Sequence, residues 1–206
     1  MNSTYNFLCC LPVPIKLIEL YWSFKHRLYV IKKTINFTSD KVIIREVKDG
    51  EKDKVAEVIE KIFDSWHSYY AVLALKRTKV FIAEKKGRMV GFLEAYVTEI
   101  RGHRCGVIYY VGVLKEYRRT GIASQMVLKA EDYFKRRRAN FSLASTTIDN
   151  IASRKLFKKL GYYEYVLDFF NDYDIVVKMS AYEDDVLLIK ALSGKVSIKA
   201  FLYQEL

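Results

Sequence analysis

A change of hydrophobic period in the middle of the chain narrows the fold more than any other feature. Residues 105–113 read as a strand, residues 123–138 as a helix and residues 141–146 as a second strand. The helix is amphipathic: Met126, Val127, Ala130, Tyr133 and Phe134 share one face, while Lys129, Lys135, Arg136 and Arg137 lie off it. Between the first strand and this helix stand Arg118, Arg119, Thr120, Gly121, Ile122 and Ala123. A strand that feeds a helix through such a loop suits a pyrophosphate. Backbone N–H groups in the tight loop converge, the helix start adds unpaired N–H groups, and Gly121 admits close approach of the backbone. Arg118 and Arg119 add charge-assisted contacts.

The remaining pattern alternates in the same manner. Residues 42–47 form a strand, followed by a helix over 53–63 whose Val55, Val58, Ile59 and Ile62 share a face, and a second helical piece over 65–75. Strands at 79–84 and 89–98 are joined through Lys85, Lys86 and Gly87, a hairpin signature. After the second βα step come a short helix over 151–160, stopped by Gly161, and strands at 162–167 and 174–179. This order predicts an α/β fold: a mixed central sheet of about six to seven strands with helices on both faces.

The chain of 206 residues, with 51% hydrophobic and 29% charged residues, is long enough for one substantial core. Only two prolines and nine glycines are present, so no linker marks a second domain. The expected organisation is an N-terminal extension over 1–40 with a helical stretch, a main domain over 41–180 and a C-terminal extension over 181–206. A net charge of +11 favours phosphate-bearing or acidic partners, although no motif for reading a nucleic-acid groove accompanies it. Three cysteines and three histidines, widely spread apart from Cys9 and Cys10, make neither a disulfide framework nor a zinc site, so no metal is expected. The apolar run at 7–18 is too short and too interrupted to cross a bilayer, and no charged side chain precedes Phe7 as a signal peptide would require, so export is not expected. A cytoplasmic location is expected.

Val111 to Ala123, together with Asn150, Ser153, Leu156, Phe157, Gly161 and Tyr162, resembles the two cofactor motifs of the GNAT superfamily of N-acetyltransferases. The first motif there is Gln or Arg, two residues, Gly, one residue, then Gly or Ala. The second is Asn-x-x-(Ala/Ser)-x-x-Leu-Tyr-x-x-x-Gly-(Phe/Tyr). The resemblance spans about residues 42–179. It implies an acetyl-CoA site between splayed parallel strands, one ending near Val113 and the other near Thr146. It further implies that the backbone of Val111 and Val113 meets the pantetheine arm, with the Val113 N–H facing the developing oxyanion. The amides of Arg119, Thr120, Gly121, Ile122, Ala123 and Ser124 would then meet the pyrophosphate, with Arg118 beside them. Asn150 and Ser153 would face the cofactor tail, and Arg154 and Lys155 would lie within reach of phosphate.

The implied reaction moves acetyl from acetyl-CoA to a primary amine, with a protein amine preferred over a small molecule. A small-amine acetyltransferase and a non-catalytic acyl-CoA-binding module are the alternatives. Acetyl transfer needs a neutral amine, a polarised carbonyl and a departing thiolate. The chain departs from the family at Phe157, where many members carry a Tyr that protonates the thiolate; Phe has no proton to give. Tyr162 or Tyr163 stands nearby as a replacement. Val107 and Ser145 occupy positions where relatives often place a carboxylate or polar group. Glu94, on the strand over 89–98 with Phe92 and Tyr96 on its face, is the expected base. Trp66, His67, Tyr69 and Tyr70 are the expected acceptor-side aromatics.

Overall fold

The computed structural model describes residues 41–204; the expected helical stretch of the N-terminal extension lies outside them. Seven strands, β1 (Ile43–Glu46), β2 (Lys79–Lys85), β3 (Arg88–Ile100), β4 (His103–Val113), β5 (Phe141–Thr146), β6 (Tyr163–Val166) and β7 (Val186–Ala191), form one sheet in the order β1-β2-β3-β4-β5-β7-β6. Every pairing is antiparallel except β4 with β5. Parallel neighbours need a crossover, and the helix α3 (Ile122–Arg136) supplies it. The other helices are α1 (Lys52–Ile62), α2 (Ser65–Ala74), α4 (Ile151–Lys159), α5 (Tyr173–Met179) and α6 (Ile198–Tyr203).

Side-chain alternation explains why β2 reads as a continuous apolar run. Val80 and Ile82 pack with Val55, Ile59 and Ala71 of α1 and α2, whereas Phe81 and Ala83 pack with Met126, Val127, Ala130 and Phe134 of α3. Both faces are therefore covered, as expected. A third cluster joins Phe141 and Leu143 of β5 and Leu187 and Ile189 of β7 to Ile175 and Met179 of α5 and to Phe201 and Leu202 of α6. Gly106 fixes the seat of α3, because the Phe134 ring occupies the space above it and a Cβ there would lie 2.2 Å from that ring.

The sequence misleads at one element. Residues 174–179 form the end of helix α5 rather than a strand. The run Ile175, Val176, Val177 has strand composition, but Ile175, Val176 and Met179 are buried at helical spacing. The preceding Asp172 is tied to Arg101, whose guanidinium also holds Asp174 and the carbonyls of Phe201 and Leu202. The seventh strand is β7, within the segment expected to be a C-terminal extension. There it sits between β5 and β6.

Candidate active site

The β4–β5 pairing runs only from Cys105 with Phe141 to Ile108 with Ala144. Beyond that point β4 continues to Val113 and β5 to Thr146 without pairing each other. Leu114 donates its N–H back to Val90 of β3. Successive N–H groups alternate along a strand, so those of Val113 and Val111 turn the other way, to the edge that β5 has left. The Val113 carbonyl on that edge accepts from Arg118 Nε at 3.0 Å. Arg118 thus spends one donor bracing the strand.

The loop after β4 has the shape expected of an anion cradle. Arg119 (φ 66°) and Gly121 (φ 83°) are both left-handed, and short stretches that include this conformation draw successive N–H groups together. Gln125 donates to the Gly121 carbonyl, so the N–H groups of Ile122, Ala123 and Ser124 precede the first bond of the helical ladder. Gly121 is the N-cap and has no side chain to occupy them. By contrast Asp64, Asn150 and Ser197 each cap their helices through a side-chain oxygen. The α3 N-terminus therefore keeps both its unpaired donors and its positive end, which suits a pyrophosphate. The Thr120 hydroxyl is turned inward, donating to the Tyr117 carbonyl at 2.7 Å.

A cleft of about 950 Å³ opens where β4 and β5 part. Val111, Asn150 and Ser153 line it, as do Phe157 of α4, Tyr109 and Tyr110 of β4 and Trp66, His67 and Tyr70 of α2. Its far wall is the segment after α5, including Tyr182, Glu183 and Asp184. Asn150 also accepts from the Ser153 N–H at 3.1 Å, so it is the N-cap of α4 as well as a wall residue.

Tyr109 and Tyr110 are adjacent in sequence yet line the same cleft. A register shift between Glu94 and Ala95 explains this: Tyr110 pairs Glu94 and Ile108 pairs Ala95, leaving Tyr109 as an extra residue in β4. Such a bulge breaks the alternation and re-aims side chains. Burial pushes both phenols above their ordinary range.

Other expected residues lie elsewhere. Glu94 is fully buried, is not among the cleft residues, and has one oxygen without a hydrogen-bond partner among the described residues. Burial pushes its carboxyl up from 4.5 to about 8, against a weak bond from Thr78. Tyr162 is buried with its hydroxyl 2.6 Å from Ser142 Oγ, and Tyr163 is exposed on β6. Neither lines the cleft. Phe157 does, and its ring packs edge-on against Tyr162 at 4.9 Å. Arg154 is committed to Glu164 and the Ile148 carbonyl rather than held free for phosphate. Asp184, absent from the sequence reading, has its Oδ2 2.6 Å from Ser145 Oγ. Among the described residues no group of three His, Cys, Asp or Glu side chains could hold a metal ion, and no helix is long and apolar enough to cross a membrane.

Comparison with known proteins matches these features. The model of the acetyltransferase (GNAT) family fits residues 48–162, more than half of the chain. An uncharacterized N-acetyltransferase of Methanocaldococcus jannaschii is 25% identical over 125 residues, covering 59% of this chain and 78% of that protein. Among solved structures, the ribosomal-protein-alanine N-acetyltransferase of Escherichia coli aligns with a TM-score of 0.55 at 14% identity, over 74% of this chain and 95% of that one. The PaiA N-acetyltransferase of Thermoplasma acidophilum, solved with coenzyme A, aligns with a TM-score of 0.55 at 12% identity, over 73% and 99%. With the forked strands and the glycine-capped helix in place, these matches establish that the chain belongs to the GNAT family of acetyltransferases and uses acetyl-CoA as its acetyl donor.

Proposed function

We propose that the acceptor is a primary amine of a protein, either a chain terminus or a lysine. The observation that carries this reading is exposed apolar surface on elements that contribute to the cleft. Trp66, which lines it, and Tyr69 and Leu73 of the same helix are exposed, as are Phe169, Phe170 and Tyr173 around the start of α5, where Phe169 shares a smaller pocket with Tyr182, Glu183 and Asp184. Exposed apolar groups of this extent suit contact with a polypeptide beside the reacting amine, more than a small amine requires. The Escherichia coli fold relative acts on a protein alanine, which agrees with this choice.

The lining also favours a cation. Asp64, Glu183 and Asp184 lie in the wall, and among the described residues no Lys or Arg does, although the chain carries 35 of them. That lining equally suits a small polycationic amine, the second reading. The amides of Arg119, Thr120, Gly121, Ile122, Ala123 and Ser124 would hold the pyrophosphate of acetyl-CoA, and the edge N–H groups of Val111 and Val113 would meet its pantetheine and carbonyl. Bound there, acetyl-CoA supplies an activated acetyl thioester. Phe157 at the wall offers the departing thiolate no proton, and a thiol of pKa about 8.5 permits departure without strong acid help. The cysteine usage fits action in a reducing cytoplasm.

The test is acetyl transfer by the full chain to peptides with free N-termini, to peptides with internal lysines and to polyamines, with products read by mass spectrometry. Peptide acceptors are expected to have the higher kcat/KM. Polyamine turnover at tenfold or greater kcat/KM would replace this reading with the small-molecule one.

A further inference from the structure

Ser145 is the first residue of β5 beyond its last pairing with β4, so it stands at the fork of the sheet. Its hydroxyl donates to Asp184 Oδ2 at 2.6 Å. Asp184 Oδ1 takes no hydrogen bond among the described residues, and the residue is partly open to the cleft. We propose that Asp184, held at the fork by Ser145, receives the acceptor as its ammonium ion and takes the proton that frees the amine. This rests on the reading that an amine is acetylated in this cleft.

Of the other titratable groups, several are already engaged or face elsewhere, and Glu183 beside Asp184 has, among the described residues, no contact with the fork strand like that of Asp184 with Ser145. Asp64 is occupied by the backbone N–H and Nδ1 of His67. Glu94 of β3 is fully buried beside Thr78, outside the cleft lining, and Tyr96 spends its hydroxyl on the Lys178 carbonyl. Tyr109 and Tyr110, pushed upward, stay protonated at neutral pH and serve as donors, not bases. The charged and titratable groups around Asp184 are His67 from α2, Tyr109 and Tyr110 from β4, and Glu183 and Asp185 beside it in the chain. Burial raises the Asp184 carboxyl and the neighbouring carboxylates add to this, while Ser145 and His67 oppose it. A carboxylate of raised proton affinity is a better acceptor for the proton of an ammonium than an ordinary one.

The step balances as follows. The ammonium donates one proton to Asp184, leaving a neutral amine. The nitrogen lone pair forms a bond to the thioester carbonyl carbon, and the carbon–sulfur bond breaks with its electron pair on sulfur. A second proton leaves nitrogen and ends on that sulfur as the thiol, giving the amide. Asp184 then releases its proton to solvent through the open cleft. Transfer is more uphill from a lysine ammonium, with a pKa of about 10.4, than from an α-ammonium near 8, so lysine acceptors should depend on Asp184 more.

The test compares wild type, Asp184→Asn and Asp184→Glu in two measurements: acetylation across pH, and calorimetric binding of the acceptor peptide to protein without acetyl-CoA. Asp184→Asn is expected to lower kcat/KM about 10²–10⁴-fold at neutral pH. The loss should shrink as pH rises toward the amine pKa, and peptide affinity should fall at least about tenfold. Coenzyme A affinity and the unfolding midpoint should stay unchanged, and Asp184→Glu should regain part of the loss. Unchanged peptide affinity in Asp184→Asn would overturn the proposal, as would a wild-type pH profile. Should wild type acetylate no amine, the functional reading fails on its own account, and the peptide-binding comparison still decides whether Asp184 holds the ammonium.

Discussion

The cradle proposed for the donor and the cleft wall proposed for the acceptor are built by different means. The proposed phosphate donors are amides from one contiguous run, Arg119 to Ser124, shaped by two left-handed residues and a side-chain-free N-cap. The proposed acceptor wall takes His67 from α2, Tyr109 and Tyr110 from β4, Ser145 from β5 and Asp184 from the segment after α5. One side is local backbone chemistry, and the other exists only once distant segments have assembled. Substitutions should therefore separate the two sides.

The largest expected effect lies beneath the acceptor wall, at Glu94. The folded state binds its proton more tightly than the unfolded chain, with the carboxyl raised from 4.5 to about 8. Its contribution to stability therefore falls as pH rises through that window and levels off above it. Wild type should lose on the order of a few kcal/mol across the window. Glu94→Gln should remove that slope and unfold at a higher temperature than wild type at pH 9, which thermal melts across pH would check. Parallel slopes for the two proteins would show that Glu94 does not titrate as a buried acid.

Gly106→Val should disturb both sides together, since it presses on the Phe134 ring that seats α3. A loss of about 1–3 kcal/mol in denaturant unfolding is expected, with coenzyme A and acceptor binding weakened in parallel. Gly121→Val should separate them. A Cβ there meets open space, so the cost lies in the φ of 83°. Strain of about 1–3 kcal/mol at such a position predicts roughly 10- to 100-fold weaker coenzyme A binding by calorimetry, with acceptor-peptide affinity unchanged. The smallest effect is at Asn150. Its replacement by Ala should cost about 1 kcal/mol of stability through the lost N-cap, measured by denaturant melts.

The contrast also explains what could be read from the sequence. Phosphate-cradle geometry needs only neighbours in the chain, so the loop from Arg118 to Ser124 and the helix after it were legible as pattern. Strand alternation placed β1 to β6 for the same reason. Residues 174–179 were misread because a short β-branched run carries no length from which to tell helix from strand; burial against β5 and β7 decides it. The run Val-Leu-Leu-Ile at the start of β7 is itself strand-like, but nothing local says that it inserts between β5 and β6. The Tyr109 bulge is a property of the pairing with β3. Asp184 acquires meaning only from Ser145, 39 positions away. Trp66, His67 and Tyr70, expected on the acceptor side from the resemblance, do line the cleft, whereas Tyr109 and Tyr110 stood out in no local pattern.

The central claim is that backbone amides, rather than the arginines, hold the donor. Amide hydrogen exchange of the full chain with and without coenzyme A tests it directly. Protection is expected at Arg119 to Ser124 and at Val111 and Val113, with little change at His67 or Asp184. Coenzyme A binding that left the amides of Arg119 to Ser124 exchanging as fast as before would contradict it.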